Sequence, residues 1–455
     1  MLAVPSAPSR LLRLPRLLAC LVLLSSAAVG AQAQSRCAED DPPLGRAEAS
    51  PPEPRLVLQG LVRDALARSQ ALGATRLLAE AARLDIDEVR AGKALQGVLT
   101  LEGGPQASQA NGLGSASGLQ GRLGVSFQQM LYDGGRTDRL IDWRSQLAEA
   151  ARLGTLTQQE QIALSTVALA LERSRYRQQV LVYGQYVRKM ACLAEALETI
   201  VRADRGRASE LVQARKSLQQ AEIAQAQAMS QARQVEVRLR RLVGDGLPGV
   251  EGLSSALLQV PELGAIEAES ARSSEIAALQ AQAQAARQYA EAIEAGRRPQ
   301  VNWNFGGSHT HSTYRQGVDS RGTSLGLGVT VSIPLLDPGT APAAEAARKR
   351  AQAALLQREE ALEQRRFRVR ETHEQTLSAF DRAARVGAVL RDSEQVRGFT
   401  LQQWQQLGRR SLFDVMSAEA DHYNLRVAYV NALHDGQQLN ALLLSLGRGV
   451  GEWLN

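Results

Sequence analysis

Few residues in this chain are of a type that does chemistry. The five histidines are His309, His311, His373, His422 and His434. His309 and His311, in "SHTHS", are the natural metal ligands, but no cysteine or carboxylate stands near them and they read as part of a surface loop. No P-loop, paired CxxC or nucleophile-elbow pattern occurs, and "GLGVTV" is a strand glycine pair rather than a dinucleotide fingerprint. The many Asp and Glu residues of the helical stretches read as solvated faces and ion pairs. The expectation is a protein that is no enzyme and holds no metal and no cofactor.

The informative residues belong to a passage that occurs twice. Leu123 to Gly135 reads "LGVSFQQMLYDGG", and 204 positions later Leu327 to Gly339 reads "LGVTVSIPLLDPG". The same offset relates Ser69 to Ser273, Gly92 to Gly296, Gln96 to Gln300, Gly103 to Gly307, and Glu210 to Asp414. "GRAS" at Gly206 matches "GRRS" at Gly408 with an offset of 202, which implies a two-residue indel. The layout is an internal duplication: residues 55–247 and 260–450, joined by a Gly- and Pro-containing linker over 248–259 and followed by a short tail over 451–455.

Composition narrows the class. The chain is 44% hydrophobic but only 4% aromatic, and Ala, Gln, Arg, Leu and Glu fill long segments, as in extended helices or coiled coil. The net charge of +6 is almost all arginine and is spread along helices, so it does not mark a nucleic-acid partner. Arg10, Arg13 and Arg16, the apolar run Leu17 to Val29 and the small-x-small Ala31-Gln32-Ala33 read as a secretory signal over 1–33. A Pro-rich leader over 34–54 follows. A lipoprotein box at Cys20 would need its apolar run upstream, whereas most of the run lies downstream. Removal of the signal leaves Cys37 and Cys192, whose pairing an oxidising compartment permits and the sequence does not decide.

Two strand pairs are predicted. Leu325, Leu327, Val329, Val331 and Ile333 share one face, with Gly326, Gly328, Thr330 and Ser332 on the other. Val301, Trp303 and Phe305 alternate in the same way, as do Leu99 and Leu101, then Leu123, Val125 and Phe127. Strands of about ten residues, separated by loops of about fifteen small and polar residues, are long enough to cross a bilayer. Four strands cannot close a membrane barrel, which begins at eight, so several chains must share one. Each strand pair runs into a helix of roughly 60 residues, about 90 Å long, from Thr137 to about Arg202 and from Ala341 to about Gln406. The chain then returns through Leu211 to Val243 and Val415 to Leu446.

The duplicated junctions "QQMLYDGG" and "SIPLLDPG", with the turn "LGRRSLFDVMSAEADHYNLRVAYVNAL" and its closing "LLLSLG", resemble the TolC family of outer-membrane efflux and secretion ducts. The resemblance covers essentially the whole mature chain. It implies a mostly α fold with transmembrane β. In a homotrimer, twelve strands close a barrel in outer-membrane lipid and twelve long helices continue as a periplasmic tunnel. It further implies a periplasmic adaptor and an inner-membrane transporter. "DRGRASELVQAR" is most similar to the type I protein secretion branch, which would make the transporter an ABC type, while small-molecule efflux stays open. Asp133, Gly134 and Gly135, and Asp337, Pro338 and Gly339, would form the bends between barrel and tunnel, glycine allowing unusual φ and proline starting a helix.

The turns around Arg205, Gly206 and Arg207, and around Gly408 and Arg409, would dock the adaptor. Carried over from the family, Arg410 is the gate arginine and Asp414 a pore-facing aspartate. Ser417 stands where the family has a second aspartate, and Glu210 is the nearest match to the acidic partner of the arginine. Asp414 could equally cap the returning helix. A secreted coiled-coil scaffold would explain the helices but not the hairpins, and a periplasmic adaptor should carry a lipoyl-like or β-barrel domain that is not found here.

Overall fold

The computed structural model describes residues 53–110, 114–203, 205–249, 252–314, 319–407 and 410–454. The signal segment, most of the leader, and both Gly408 and Arg409 lie outside the described residues. Along the chain the elements are α1 (Pro54–Arg68), α2 (Gln70–Ala91), β1 (Gln96–Ala110), β2 (Gly114–Tyr132), α3 (Arg136–Ala203) and α4 (Ala208–Val243). The second series is α5 (Leu263–Ser270), α6 (Ser274–Ala295), β3 (Gln300–Tyr314), β4 (Asp319–Ser332), α7 (Thr340–Leu407), α8 (Leu412–Leu446) and α9 (Val450–Leu454). No described helix is long and apolar enough to cross a membrane.

The duplication is visible element by element. α6, β3 and α7 begin 204 positions after α2, β1 and α3, and α4 and α8 keep the same offset. The predicted indel is therefore absent. α3 and α7 end at Ala203 and Leu407, and α4 and α8 start at Ala208 and Leu412, so the two turns have equal length. The "GRAS"/"GRRS" match is a shifted coincidence of small and basic residues within that turn. α3 and α7 each have 68 residues, about 100 Å of helix at 1.5 Å per residue.

The chain divides into two compact units, each drawing on both repeats. One contains residues 166–260 and 374–441 together with the start of α1; the other contains 62–165, 261–373 and 442–454. In the first, α3, α4, α7 and α8 pack together at their turn ends. Met190, Leu193 and Leu197 of α3, Ala214 of α4 and Leu412, Val415 and Met416 of α8 are buried there, with Leu401 and Trp404 of α7 packed on them. The linker is clamped rather than loose. Buried Gln437 of α8 donates from Nε2 to the carbonyls of Leu253, Ser254 and Ala256, and Asn440 donates to those of Leu257 and Gln259. Cys192 on α3 is disulfide-bonded, and Cys20 and Cys37 lie outside the described residues.

The second unit contains the sheet, antiparallel in the order β1-β2-β3-β4. The strands have 14 to 19 residues and consume most of the segments expected as loops. His309 and His311 thus lie on β3 and not in a loop. Small and polar residues hide a strand from pattern reading, although their backbone groups pair like any others. The register stacks one face into apolar rows: Leu99, Val125 and Leu325, then Phe127, Phe305 and Leu327, then Trp303 and Val329. The opposite rows hold Thr100, Gly124, Ser308 and Ser324, or Gln128, Asn304 and Gly328. Leu101 is 82% exposed and Leu325 and Leu327 76% exposed, so no described residue covers this part of the apolar face. The eight residue steps from Leu325 to Ile333, along β4 and its exit, extend about 27 Å at 3.4 Å each, close to the about 25 Å apolar band of a membrane barrel.

Candidate functional site: bends and helical turns

An aspartate builds each bend between strand and long helix. Asp133 accepts hydrogen bonds from the backbone N–H of Gly135 (3.0 Å) and of Thr137 (2.6 Å). Asp337 accepts from Gly339 N (3.1 Å) and Thr340 N (3.2 Å) and also bonds the Thr340 hydroxyl. Each carboxylate thereby satisfies N–H groups that open a helix and have no intrahelical acceptor. Burial pushes the Asp133 carboxyl up, but the bonds from Thr137 and Gly135 outweigh it and hold its pKa below the usual value. At Asp337 the Thr340 bond leads in lowering the pKa.

The neighbours differ between the repeats. Gly134 (φ +68°) and Gly135 (φ +86°) occupy the left-handed region, as expected of glycine in a sharp bend. Gly339 has no positive φ, and Pro338 lies two residues ahead of α7 rather than at its first position. The helix-starting role expected of Pro338 is thus not observed, because Asp337 already caps the helix end.

The two turns place an acidic residue at the same helical position. Glu210 and Asp414 are each the third residue of the returning helix, and Arg207 and Ser411 each immediately precede it. Ser411 donates from N and from Oγ to Asp414 Oδ2, both at 3.0 Å, and its Oγ accepts from Asp414 N at 3.2 Å. This is a capping box with Asp in the acidic position. In the first turn a salt bridge replaces it, Arg207 Nη2 to Glu210 Oε2 at 3.1 Å. Arg410 donates to Gln403 Oε1 at 3.3 Å. Arg410 and Glu210 are therefore not brought together in the chain, since each has a partner in its own turn. Arg205, Gly206 and Arg207 form an unburied 3₁₀ turn. Ser417 is exposed.

Sequence reading missed two features here. Asp421 is exposed one helical turn beyond Ser417, so the acidic charge absent at Ser417 reappears about 6 Å along the helix. Glu419 is fully buried and lies 3.6 Å from both Lys189 of α3 and Arg397 of α7. Arg397 also pairs with Glu394, whose other oxygen is 3.1 Å from His422 Nε2. Burial pulls the Arg397 pKa down, and the Glu419 and Glu394 carboxylates more than reverse it. This network joins three of the four helices just behind the turn. In the sequence, Lys189, Arg397 and Glu419 are more than 20 residues apart and looked like solvated charges. Val212 and Phe413 add exposed apolar surface beside the two turns, at 67% and 46% exposure.

Residues 61–245, from α1 through α4, match the profile of the family described as outer membrane efflux protein. The matched stretch covers less than half of the chain. The match spans the first repeat, and the second repeats its elements at a constant offset.

Among solved structures, CusC is 17% identical with a TM-score of 0.75, covering 89% of this chain and 100% of its own. The outer membrane protein VceC of Vibrio cholerae is 18% identical with a TM-score of 0.71, over 86% of this chain and 96% of that one. The open-state MtrE outer membrane channel of Neisseria gonorrhoeae is 18% identical with a TM-score of 0.68, over 87% and 89%. No curated protein is significantly similar to the chain. At 17–18% identity these structural likenesses show a shared fold.

Proposed function

We propose that the chain is the outer-membrane duct of a type I protein secretion machine, a homotrimer served by a periplasmic adaptor and an ABC-type inner-membrane transporter. The observation that carries the duct reading is the junction itself. A sheet that is apolar on one face and small and polar on the other passes through an aspartate-capped bend directly into 68-residue helices. Three such sheets close twelve strands with the apolar face to lipid and the polar face to a water-filled lumen. The first turn, "DRGRASELVQAR", with its Arg207–Glu210 clasp, supports the secretion branch through its resemblance.

A second reading, the outer-membrane component of a small-molecule efflux pump, is favoured by the description of the matching family. Deletion of the gene separates the two. Loss of a specific protein from the culture supernatant with unchanged drug susceptibility supports secretion; the converse supports efflux.

Arg205 to Arg207 with Val212, and Arg410 with Phe413, form the docking surface for the adaptor in this reading. A photocrosslinker at Arg207 should capture a periplasmic adaptor identified by mass spectrometry. Capture of the adaptor only from the segment 112–117, at the far end of the β1–β2 hairpin, would reverse the orientation.

A further inference from the structure

At the loop end of the sheet the apolar face changes character over one row. Leu101, Leu123, His309 and Thr323 form the last row of the band. The next row is Gly103, Gly121, His311 and Arg321. A Cβ placed on either glycine would meet nothing within 4 Å. The sheet therefore has a notch two strands wide, walled on one side by His311 and Arg321 and floored by backbone. Beyond it lie Pro105, Leu119, Thr313 and Asp319.

The polar side chains of the notch are aligned. Arg321 Nε donates to His311 Nδ1 at 3.3 Å, His311 Nε2 lies 3.5 Å from Thr313 Oγ1, and His309 Nδ1 bonds Thr323 Oγ1 at 2.9 Å. Among the described residues no carboxylate pairs with Arg321, whose guanidinium offers a planar fork suited to phosphate beside the notch. Asp319 is the one acidic residue on this face near it, one row further out.

We propose that this notch binds the phosphate of an outer-leaflet glycolipid, whose acyl chains lie over Leu101, Leu123 and Leu325. The inference rests on the lipid-facing assignment of the apolar rows. The two are continuous: an amphiphile with chains on the leucines must present its headgroup at the height of His311 and Arg321, where the available charge is cationic. A metal held by His309 and His311 is the competing occupant, but no group of three metal-binding side chains exists among the described residues.

The test uses the purified full-length channel in phosphatidylcholine nanodiscs containing lipid A, with bound lipid counted by native mass spectrometry. Wild-type channel should retain bisphosphorylated lipid A in preference to its dephosphorylated form. Arg321→Gln with His311→Gln should weaken retention about tenfold, as for the loss of a charge-assisted hydrogen bond, while Arg321→Lys retains most of it. Equal retention of both lipids, or an unchanged double variant, overturns the proposal. So does retention that requires added Zn²⁺ and ignores Arg321→Gln.

A variant with Trp303 as its only tryptophan distinguishes failure of the site from failure of the face. If brominated lipid quenches Trp303 and lipid A is still not discriminated, only the headgroup site is wrong. Absence of quenching withdraws the lipid-facing assignment as well.

Discussion

Alanine at Gly134 should break the first bend far more than alanine at its neighbour. Both glycines have left-handed φ, a conformation that costs a residue with a Cβ about 1–2 kcal/mol. At Gly134 the added Cβ would also lie 2.4 Å from Arg298 Cβ and 2.8 Å from its Cδ, whereas at Gly135 nothing is within 4 Å. Arg298 cannot simply withdraw, because its Nη1 donates to the Gly134 carbonyl at 2.7 Å. Loss of that charged hydrogen bond adds about 1.5–3 kcal/mol. Gly134→Ala should therefore cost about 2.5–5 kcal/mol per chain and Gly135→Ala about 1–2.

The assay is the temperature at which the SDS-resistant trimer dissociates, read by heat modifiability on a gel. Removing the Arg298 side chain isolates the clash: in an Arg298→Gly background, Gly134→Ala should cost only the backbone share, about 1–2 kcal/mol. Equal shifts for the two glycines, or no relief in the Arg298→Gly background, would refute the close approach as the cause.

Val329→Asp should impair assembly, at up to about 2–4 kcal/mol for a charge at the lipid face, whereas Thr330→Asp on the opposite face should be mild; outer-membrane trimer yield checks both. Ser411→Ala should lower thermal stability by about 1 kcal/mol through loss of the capping box, and Asp414→Ala should do the same. If Asp414 also acts on ions, only Asp414→Ala will lower cation selectivity in planar bilayers. His434 is fully buried, and burial lowers its pKa to about 4 although its Nδ1 bonds the Val430 carbonyl. The unfolded chain protonates near pH 6.5 and the folded one only near 4, so stability is complete above 6.5 and falls as pH drops toward 4, by up to about 3 kcal/mol. His434→Leu should flatten that dependence in thermal melts at pH 7.5 and 4.5.

The long helices were legible almost to the residue, since uninterrupted helix formers ended by Gly- and Arg-containing turns leave little choice of boundary. The facing of the strands was legible wherever large apolar residues alternate, as at Leu325 to Val331, and lost where glycine, serine and threonine carry the strand onward through His309 and His311. Asp133 and Asp337 stand within the repeats and the expected bends, but the letters carry no sign of their capping role, whereas glycine and proline carry a bend signal of their own. The carboxylates supply the shared bond pattern, and only the first bend needs left-handed glycine. At the turns, matching by similar letters invented an indel, whereas helix ends align Glu210 with Asp414. That alignment removes Glu210 as the evident partner of Arg410 and gives it to Arg207. The Glu419 network was invisible because its members meet only after four helices pack.

The most direct measurement is a nitroxide scan along β4, one label at a time from Leu325 to Ser332, on the channel reconstituted in lipid. Positions 325, 327, 329 and 331 should be accessible to oxygen dissolved in the bilayer, and positions 326, 328, 330 and 332 to a water-soluble relaxation agent. Accessibility without a two-residue period, or with the two sets exchanged, would contradict a barrel strand whose apolar face meets lipid and whose polar face lines the duct.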